Sequence, residues 1–258
     1  MTSSAPAIVC DIAEALLRAQ DQTDSRALVF DGDGTLWQGD ASEDVFQFAT
    51  KNRMLRELPL QALRDVASQY DLADDGDSNQ VADTLFQAYL AGKVPEDLVC
   101  EMMCWCYAGF TEGQLDDLIV AALEAASFST RRQDALAPIL AQASAQGWRC
   151  VVVSASPLAI VRQAVRASWQ LAPSDILACR PQLTDGTIQP QLDTPLLYGP
   201  TKLSACAKHL ASSEWLGGFG DNIFDSEMLQ RAVVKVAVFP KQALKLCLNK
   251  LDPIFVIE

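Results

Sequence analysis

The chain has 258 residues, 50% of them hydrophobic and 21% charged, which is long enough for one large domain or two modest ones with a real core. A formal net charge of −13 argues against a surface that neutralises nucleic-acid phosphates or docks on anionic lipid. The start of the chain lacks a signal-peptide pattern, and no apolar stretch approaches the length of a membrane span. We therefore expect a cytoplasmic protein without nucleic-acid or membrane partners.

The titratable residues restrict the chemistry that this chain can carry. Its eight cysteines lie mostly within hydrophobic patterns and form no Cys-x-x-Cys pair, which indicates reduced core thiols rather than a zinc site. His209 is the only histidine, so any Ser-His-Asp or Cys-His system would depend on that one side chain. Acid and base chemistry is therefore expected to rest on carboxylates.

Apolar runs alternate with helical patterns along most of the chain. Strands are predicted over 27–30, 149–153, 215–219, 235–239 and 254–257. Helices are predicted over 12–20, 133–146, 158–169, 202–210 and 241–248. Near-continuous apolarity is typical of strands covered on both faces, as in a parallel sheet between helix layers. The pattern predicts an α/β fold whose ligands lie at the carboxyl ends of the strands.

Residues 38–130 interrupt this alternation, because they offer several helical segments and no convincing strand. The helix starts are marked by capping-box pairs and by prolines, namely Asp40 with Glu43, Thr111 with Gln114, Pro59 and Pro95. A loop is predicted over 72–79, where Asp and Gly are frequent. We interpret 38–130 as an inserted helical domain, and 1–37 together with 131–258 as the α/β core.

Most of the negative charge belongs to this insertion, which has 17 acidic and 5 basic residues and a net charge of −12. A solvated helical surface would explain that charge without any further role. A negative field around a site would also favour cationic substrates over polyanions. The sequence leaves both interpretations open.

The first predicted strand ends in the run Asp31-Gly32-Asp33-Gly34-Thr35. Two carboxylates at the end of a buried strand are costly to desolvate, and a bound divalent cation is the usual compensation. The glycines allow backbone N–H groups to approach an anion closely. A calcium loop of the EF-hand type is disfavoured, because its further oxygen ligands and closing Glu are missing. The run therefore indicates a metal-assisted phosphate site.

This run resembles the first motif of the haloacid dehalogenase superfamily of phosphohydrolases, Asp-x-Asp-x-Thr after an apolar strand. The superfamily's other motifs follow in order, as Ser154 at a strand end, Lys202 at a helix start and the run Gly220-Asp221-Asn222-Ile223-Phe224-Asp225. Residues 38–130 lie where phosphoserine-phosphatase-like members carry a helical cap. The run 179–189 resembles their β-hairpin, with its turn at Asp185-Gly186. The resemblance implies a Rossmann-like, three-layer parallel-sheet core with an inserted α-helical cap.

The resemblance also implies a mechanism for hydrolysis of a phosphomonoester. Asp31 would attack phosphorus and become an aspartyl-phosphate, while Asp33 would protonate the leaving oxygen and then activate water. Ser154 would hydrogen-bond the transferring phosphoryl group, and Lys202 would offset its negative charge. Dehalogenation is disfavoured, because superfamily dehalogenases generally lack the second Asp that this chain has at position 33.

Mg²⁺ is the cofactor that the resemblance implies. Its ligands would be Asp31, the backbone carbonyl of Asp33, and Asp221, with Asp225 beside the ion or orienting Lys202. Phosphoryl transfer depends mainly on positioning and on neutralising the charge of the phosphoryl oxygens. A hard cation together with a lysine supplies both.

Substrate binding is assigned to Asp40, Glu43 and Ala155. Asp40 lies nine positions after Asp31, the offset at which phosphoserine phosphatases carry an acidic substrate contact, although the same residue fits a helix N-cap. Those enzymes bind the substrate carboxylate with an Arg, and the closest match in this sequence has Tyr89 at that position. Phosphoserine is therefore a poor candidate for the substrate.

Aromatic residues also bear on the substrate. They either cover a cationic group or belong to the core, and they are Trp37, Trp105 and Tyr107. Together with the acidic insertion, they favour a small soluble phosphorylated metabolite, such as an amine or amino-alcohol phosphate.

Two alternatives use the same residues. A phosphotransferase or phosphomutase would pass the phosphoryl group from Asp31 to an alcohol instead of water. A non-catalytic binding or regulatory protein could share the fold, and it is disfavoured because none of the chemical residues is missing.

Overall fold

The computed structural model describes residues 5–169 and 175–258. Its strands are β1 Ala27–Phe30, β2 Arg149–Pro157, β3 Asp175–Cys179, β4 Pro181–Thr184, β5 Thr187–Leu192, β6 Trp215–Gly220, β7 Ala232–Val238 and β8 Phe255–Ile257. Its α-helices are α1 Ala5–Ala19, α2 Ala41–Lys51, α3 Leu60–Gln69, α4 Ser78–Leu90, α5 Glu96–Trp105, α6 Glu112–Ala125, α7 Ala137–Gln146, α8 Leu158–Trp169, α9 Pro200–Leu210, α10 Ser226–Gln230 and α11 Gln242–Lys245. Within the described ranges, no helix is both long enough and apolar enough to cross a bilayer.

Six strands form one parallel sheet in the order β3-β2-β1-β6-β7-β8. All four residues of β1 are buried, and their side chains alternate between two hydrophobic clusters. Leu28 and Phe30 pack in the cluster that contains residues of α1, α7 and α8. Ala27 and Val29 pack in the cluster that contains residues of α9, α10 and α11. The predicted α/β fold, with its parallel sheet between two helix layers, is therefore confirmed.

The five predicted strands are present, and the sequence prediction missed a sixth, β3. Within the described residues, this strand pairs with β2 alone, at the edge of the sheet, and three of its five residues are half-buried. Residues 176–179 form an apolar run as long as that of β1, so the sequence does carry a strand signal here that the prediction did not use. The predicted hairpin corresponds to β4 and β5. Asp185 and Gly186 in its turn have φ angles of 50° and 75°, as a two-residue hairpin turn requires.

Five helices, α2 to α6, occupy the region predicted to be an insertion. The predicted loop over 72–79 is slightly too long, because α4 begins at Ser78 after its N-cap Asp77. Thr111 and Gln114 form the predicted reciprocal capping box at the start of α6. Pro59 and Pro95 directly precede α3 and α5.

The chain enters and leaves the helical region through two adjacent segments. The Gln38 N–H donates to the Arg131 carbonyl at 2.8 Å, and the Gln133 N–H donates to the Leu36 carbonyl at 3.1 Å. Helix α5 contacts β2 and β5, which brings the helical region against the sheet. The division into a core, 1–37 with 131–258, and a cap, 38–130, remains a prediction.

Candidate active site

The carboxyl ends of three neighbouring strands bring the predicted site residues together. Asp31 directly follows β1, Ser154 lies in the last part of β2, and Asp221 directly follows β6. These three side chains are all buried. Lys202, in the first turn of α9, is buried at the same place. Residues that are far apart in sequence thus meet at the carboxyl ends of these strands.

Lys202 lies between two carboxylates. Its Nζ is 2.6 Å from Asp31 Oδ1 and 2.8 Å from Asp225 Oδ1. Asp225 Oδ2 accepts a further hydrogen bond from the Asn222 N–H at 3.0 Å, so Asp225 is fixed through both oxygens and orients the lysine. Burial alone would lower the pKa of Lys202, but the carboxylates of Asp225 and Asp31 raise it above its ordinary value. Lys202 therefore remains charged.

Three buried carboxylates form a group that can hold a cation. Oxygens of Asp31, Asp221 and Asp225 lie within 4.8 Å of one another. Burial raises the pKa of Asp31, and repulsion from Asp225 adds to this rise while Lys202 opposes it. Burial likewise raises the pKa of Asp221 to about 6. Within the described residues, Asp221 Oδ1 is buried without a hydrogen-bond partner. This surplus of buried negative charge fits a hard divalent cation such as Mg²⁺.

Gly34 keeps space open beside this group. Its φ of +81° favours glycine, and a Cβ at this position would collide with the carboxylate of Asp221. The residues present therefore fit the implied cofactor. The assignment of Asp31, the Asp33 carbonyl and Asp221 as Mg²⁺ ligands, with Asp225 beside them, remains a prediction.

The side chain of Asp33 has different surroundings from that of Asp31. Its Oδ1 accepts from the Ala41 N–H at 2.7 Å and from Trp37 Nε1 at 2.8 Å. Its Oδ2 accepts from Ser156 Oγ at 2.7 Å. Neutral donors thus hold Asp33, whereas a lysine holds Asp31. Such a difference in environment allows two carboxylates of one motif to take different roles.

Ser154 is held in a way that leaves its hydroxyl proton available. Its Oγ accepts from the Ser156 N–H at 3.0 Å, so the hydroxyl can donate to a phosphoryl oxygen. The pairing of β2 with β3 shifts register between Ser154 and Pro157, and such an irregularity redirects side chains at a strand end. Ala155 lies in this stretch, where its carbonyl accepts from Cys104 Sγ of α5 at 3.7 Å.

A narrow acidic cavity of about 20 Å³ lies between the helical region and Ser156. Burial raises the pKa of both Asp40 and Glu43, and the Asp33 carboxylate adds to both rises. Ser42 Oγ is buried and lacks a hydrogen-bond partner among the described residues. The full lining comprises Asp40, Ser42, Glu43, Tyr89, Glu96, Val99, Cys100, Met103 and Ser156.

Two of the three predicted substrate-binding residues line this cavity. Asp40 does so while its Oδ1 caps α2, accepting from the N–H groups of Ser42 at 2.8 Å and Glu43 at 3.0 Å. Asp40 can therefore cap α2 and line the cavity at the same time. Glu43 also lines the cavity, whereas Ala155 does not. Substrate contact by all three stays a prediction.

The aromatic residues near the site occupy the core rather than the cavity. The predicted candidates are all buried outside the cavity lining, and they are Trp37, Trp105 and Tyr107. Trp37 instead contacts the site through its hydrogen bond to Asp33. The cavity lining does include one aromatic residue, Tyr89.

Sequence reasoning missed three residues at the site. Ser156 and Glu96 line the cavity, and Lys241 Nζ lies 3.2 Å from Asp221 Oδ2. Ser156 follows Ser154 by two positions, which is a signal that could have been used. Glu96 and Lys241 have no such signal, because only the packing of α5 and of the segment after β7 brings them here.

His209 lies away from the site. Its Nε2 is 2.9 Å from Asp175 Oδ1. Asp175 begins β3, at the amino ends of the parallel strands, whereas Asp31 follows the carboxyl end of β1. The site chemistry therefore rests on carboxylates, serines and lysines.

Comparison with known proteins identifies a family whose model matches this chain and solved structures that share its fold. The family model for haloacid dehalogenase-like hydrolases matches residues 28–230. A protein with unknown function from Bordetella pertussis Tohama I has a similar structure, with a TM-score of 0.69, 17% identity, and coverage of 92% of this chain and 99% of its own.

Two solved enzymes share the fold at lower similarity. A phosphoserine phosphatase in a phospho-aspartyl intermediate analogue form has a TM-score of 0.51 and 14% identity, covering 92% of this chain and 95% of its own. Cytosolic 5′-nucleotidase IIIB bound to cytidine has a TM-score of 0.55 and 16% identity, covering 95% of this chain and 83% of its own. No curated protein sequence matched this chain.

Proposed function

This chain belongs to the haloacid dehalogenase-like hydrolase family, and we propose that it hydrolyses a small soluble phosphomonoester through a phosphorylated Asp31. The observation that carries the proposal is the buried cluster of Asp31, Lys202 and Asp225 beside Asp221. Lys202, together with a divalent cation held by these carboxylates, would neutralise the charge of a phosphoryl group while the Asp31 carboxylate attacks it. Its position at the carboxyl ends of β1 and β6 is where ligands bind in this class of sheet.

In the first step, an oxygen of Asp31 forms a bond to phosphorus as the bond to the leaving oxygen breaks. Lys202 stays charged beside Asp31 and offsets the negative charge of the phosphoryl oxygens. The Ser154 hydroxyl donates to one of those oxygens. Asp33 gives its proton to the leaving oxygen, so the product departs as an alcohol.

In the second step, Asp33 takes a proton from water as the water oxygen attacks phosphorus, and Asp31 is released as a carboxylate. Asp31, Asp221 and the Asp33 carbonyl would hold Mg²⁺. When bound, this ion supplies Lewis-acid stabilisation of the phosphoryl charge. Asp225 keeps Lys202 in place through both steps.

The proposal is tested by following product release from an aryl phosphate with and without an added alcohol acceptor. We expect equal amounts of aryl alcohol and inorganic phosphate in both cases. A shortfall of phosphate that is matched by phosphorylated acceptor would indicate a phosphotransferase. Absence of aryl alcohol release from pure, Mg²⁺-supplied protein would indicate a non-catalytic protein.

Asp33→Asn is expected to slow hydrolysis most for substrates whose leaving oxygen needs a proton. Loss of the acid should slow hydrolysis of an alkyl phosphate by about 10² to 10⁴-fold, while the first step with an aryl phosphate slows much less. Rapid-quench measurement of alcohol release from both substrates checks this expectation. Asp134→Asn, at an exposed aspartate that pairs with Arg132, is the control and should leave both rates unchanged. Equal losses for the two substrates would count against the acid role.

The cavity lining supports a substrate that carries an ammonium group. Asp40, Glu43 and Glu96 contribute three carboxylates to its wall. The ammonium of Lys241 partly offsets the raised pKa values of Asp40 and Glu43, which still leaves more acidic than basic groups. Ser42 Oγ adds a buried acceptor without a partner in the described structure. An amine or amino-alcohol phosphate matches this lining in charge.

Asp40→Asn is expected to reduce the preference for ammonium-bearing substrates. The wild type should favour an amino-alcohol phosphate over a neutral-tail phosphate of similar length by about 1 to 2 kcal/mol in kcat/KM. The variant should lose most of this preference, because Asn keeps the capping function and removes the charge. The measurement is kcat/KM for both substrates at low and high salt.

Asp77→Asn provides a matched control for Asp40→Asn. Asp77 caps α4 by accepting from Asn79 and Gln80 N–H groups, as Asp40 caps α2, and it does not line the cavity. The substrate preference should survive in this variant. If the wild type shows no preference, or if Asp40→Asn slows both substrates alike, the cationic-substrate proposal is wrong.

A further inference from the structure

The two oxygens of the Asp33 carboxylate have chemically different partners. Oδ1 accepts from the Ala41 N–H and from Trp37 Nε1, and these groups can only donate. Oδ2 accepts from the Ser156 hydroxyl, which can donate or accept. Both oxygens of the carboxyl group are thus held, and Ser156 supplies the hydroxyl partner of Oδ2.

An acid–base group must be held in place to reach the reacting oxygen. We propose that Ser156 is the positioning residue for Asp33: its hydroxyl holds Oδ2 and orients the carboxyl group toward the leaving oxygen. This assignment rests on the proposed function, in which Asp33 acts as acid and then as base.

The location of Ser156 supports this role. Ser156 is buried and lines the acidic cavity, so its hydroxyl connects Asp33 Oδ2 to the cavity wall. In the first step, the carboxyl O–H bond of Asp33 breaks and the proton joins the leaving oxygen as the phosphorus–oxygen bond breaks. In the second step, a water proton returns to the Asp33 carboxylate. The hydroxyl of Ser156 keeps that carboxylate in position for both transfers.

Ser156 also links two strand ends. Its backbone N–H donates to Ser154 Oγ and its side chain donates to Asp33 Oδ2. The register shift in β2 after Ser154 accompanies this arrangement. Replacing the side chain leaves the backbone bond to Ser154 in place, so the contact of Ser154 with the phosphoryl group can be separated from the support of Asp33.

The experiment compares two leaving groups in Ser156 variants of the full chain. Ser156→Ala should lower kcat for ethyl phosphate by about tenfold to a hundredfold, a part of what a general acid contributes. It should lower kcat for p-nitrophenyl phosphate by less than about threefold, because that leaving group needs little protonation. Ser156→Thr retains the hydroxyl and should recover most of the ethyl phosphate activity.

A matched control removes another buried serine hydroxyl. Ser168 Oγ donates to the Ala164 carbonyl within α8 at 2.7 Å, and Ser168→Ala should leave both rates unchanged. Thermal unfolding of each variant establishes that it is folded. If Ser156→Ala does not fold, Ser156→Gly removes the same hydroxyl and is held to the same expectation.

The possible outcomes distinguish this assignment from the proposed function. Equal loss on both substrates, no loss on either, or failure of Thr to recover activity in a folded variant overturns the role of Ser156 while phosphatase activity stands. A wild-type chain that releases no p-nitrophenol with Mg²⁺ present overturns the proposed function itself, and the Ser156 assignment with it.

Discussion

Asp31→Asn is expected to lower phosphatase kcat by roughly four to six orders of magnitude, the usual consequence of losing a nucleophile. The amide keeps the shape of the side chain and an oxygen that can accept from Lys202, but it cannot form the phosphorylated intermediate. The fold should survive, because burial and the neighbouring Asp225 already raise the pKa of Asp31 and a neutral side chain relieves that repulsion. Steady-state turnover of p-nitrophenyl phosphate and thermal unfolding measure the two effects.

Asp185→Asn is the matched control for this variant. Asp185 is exposed at the turn of the β4–β5 hairpin, and Asn tolerates the same backbone conformation. Its activity should equal that of the wild type. If pure Asp31→Asn protein retained more than a trace of activity, Asp31 would not be the nucleophile.

Removal of Mg²⁺ is expected to abolish turnover and leave the chain folded. Without a cation, Asp31, Asp221 and Asp225 leave surplus buried negative charge beside the phosphoryl site. Re-addition of Mg²⁺ at about a hundredfold excess over its Kd should stabilise the fold by about 2.7 kcal/mol. Titration calorimetry and Tm measure binding without relying on activity. Full activity after chelation and dialysis would contradict the metal requirement.

This stabilisation should depend on pH. The pKa of Asp221 is raised to about 6, above its value in an unfolded chain, so the metal-free protein gains stability as pH falls through about 6. Protons then compete with the cation, and the Tm increase caused by Mg²⁺ should be larger near about pH 8 than near about pH 5.5. Asp221→Asn should lose most of the increase, whereas Asp185→Asn should retain it.

The sequence was informative where residues follow local rules. The apolar runs of β1 and β6 marked the strands, and each ends beside an aspartate, Asp31 and Asp221, so the parallel fold alone placed these two together. The helix start at Pro200 placed Lys202 in a first turn. The turn at Asp185-Gly186 followed from the positive φ angles that such residues allow.

Other site residues are brought together only by tertiary packing, which the sequence did not predict. The sequence leaves Trp37 either as a cover for a cationic group or as a core residue, and the structure shows it fully buried and donating to Asp33. Glu96 reaches the cavity because α5 packs over β2, and Lys241 reaches Asp221 because β7 ends beside β6. Ser156 required the register shift at the end of β2. Of these contacts, only that of Ser156 has a sequence signal, its position two residues after Ser154.

In the proposed reaction, Asp31 carries the phosphoryl group between substrate and water. This intermediate can be trapped by quenching the Mg²⁺-supplied wild type with acid during turnover of an aryl phosphate, and the phosphorylated peptide can then be mapped by mass spectrometry. We expect a phosphoryl group on Asp31, labile to hydroxylamine as an acyl phosphate is, and its absence in Asp31→Asn. Turnover with an unmodified Asp31 peptide, or with the phosphoryl group on another residue, would contradict this expectation.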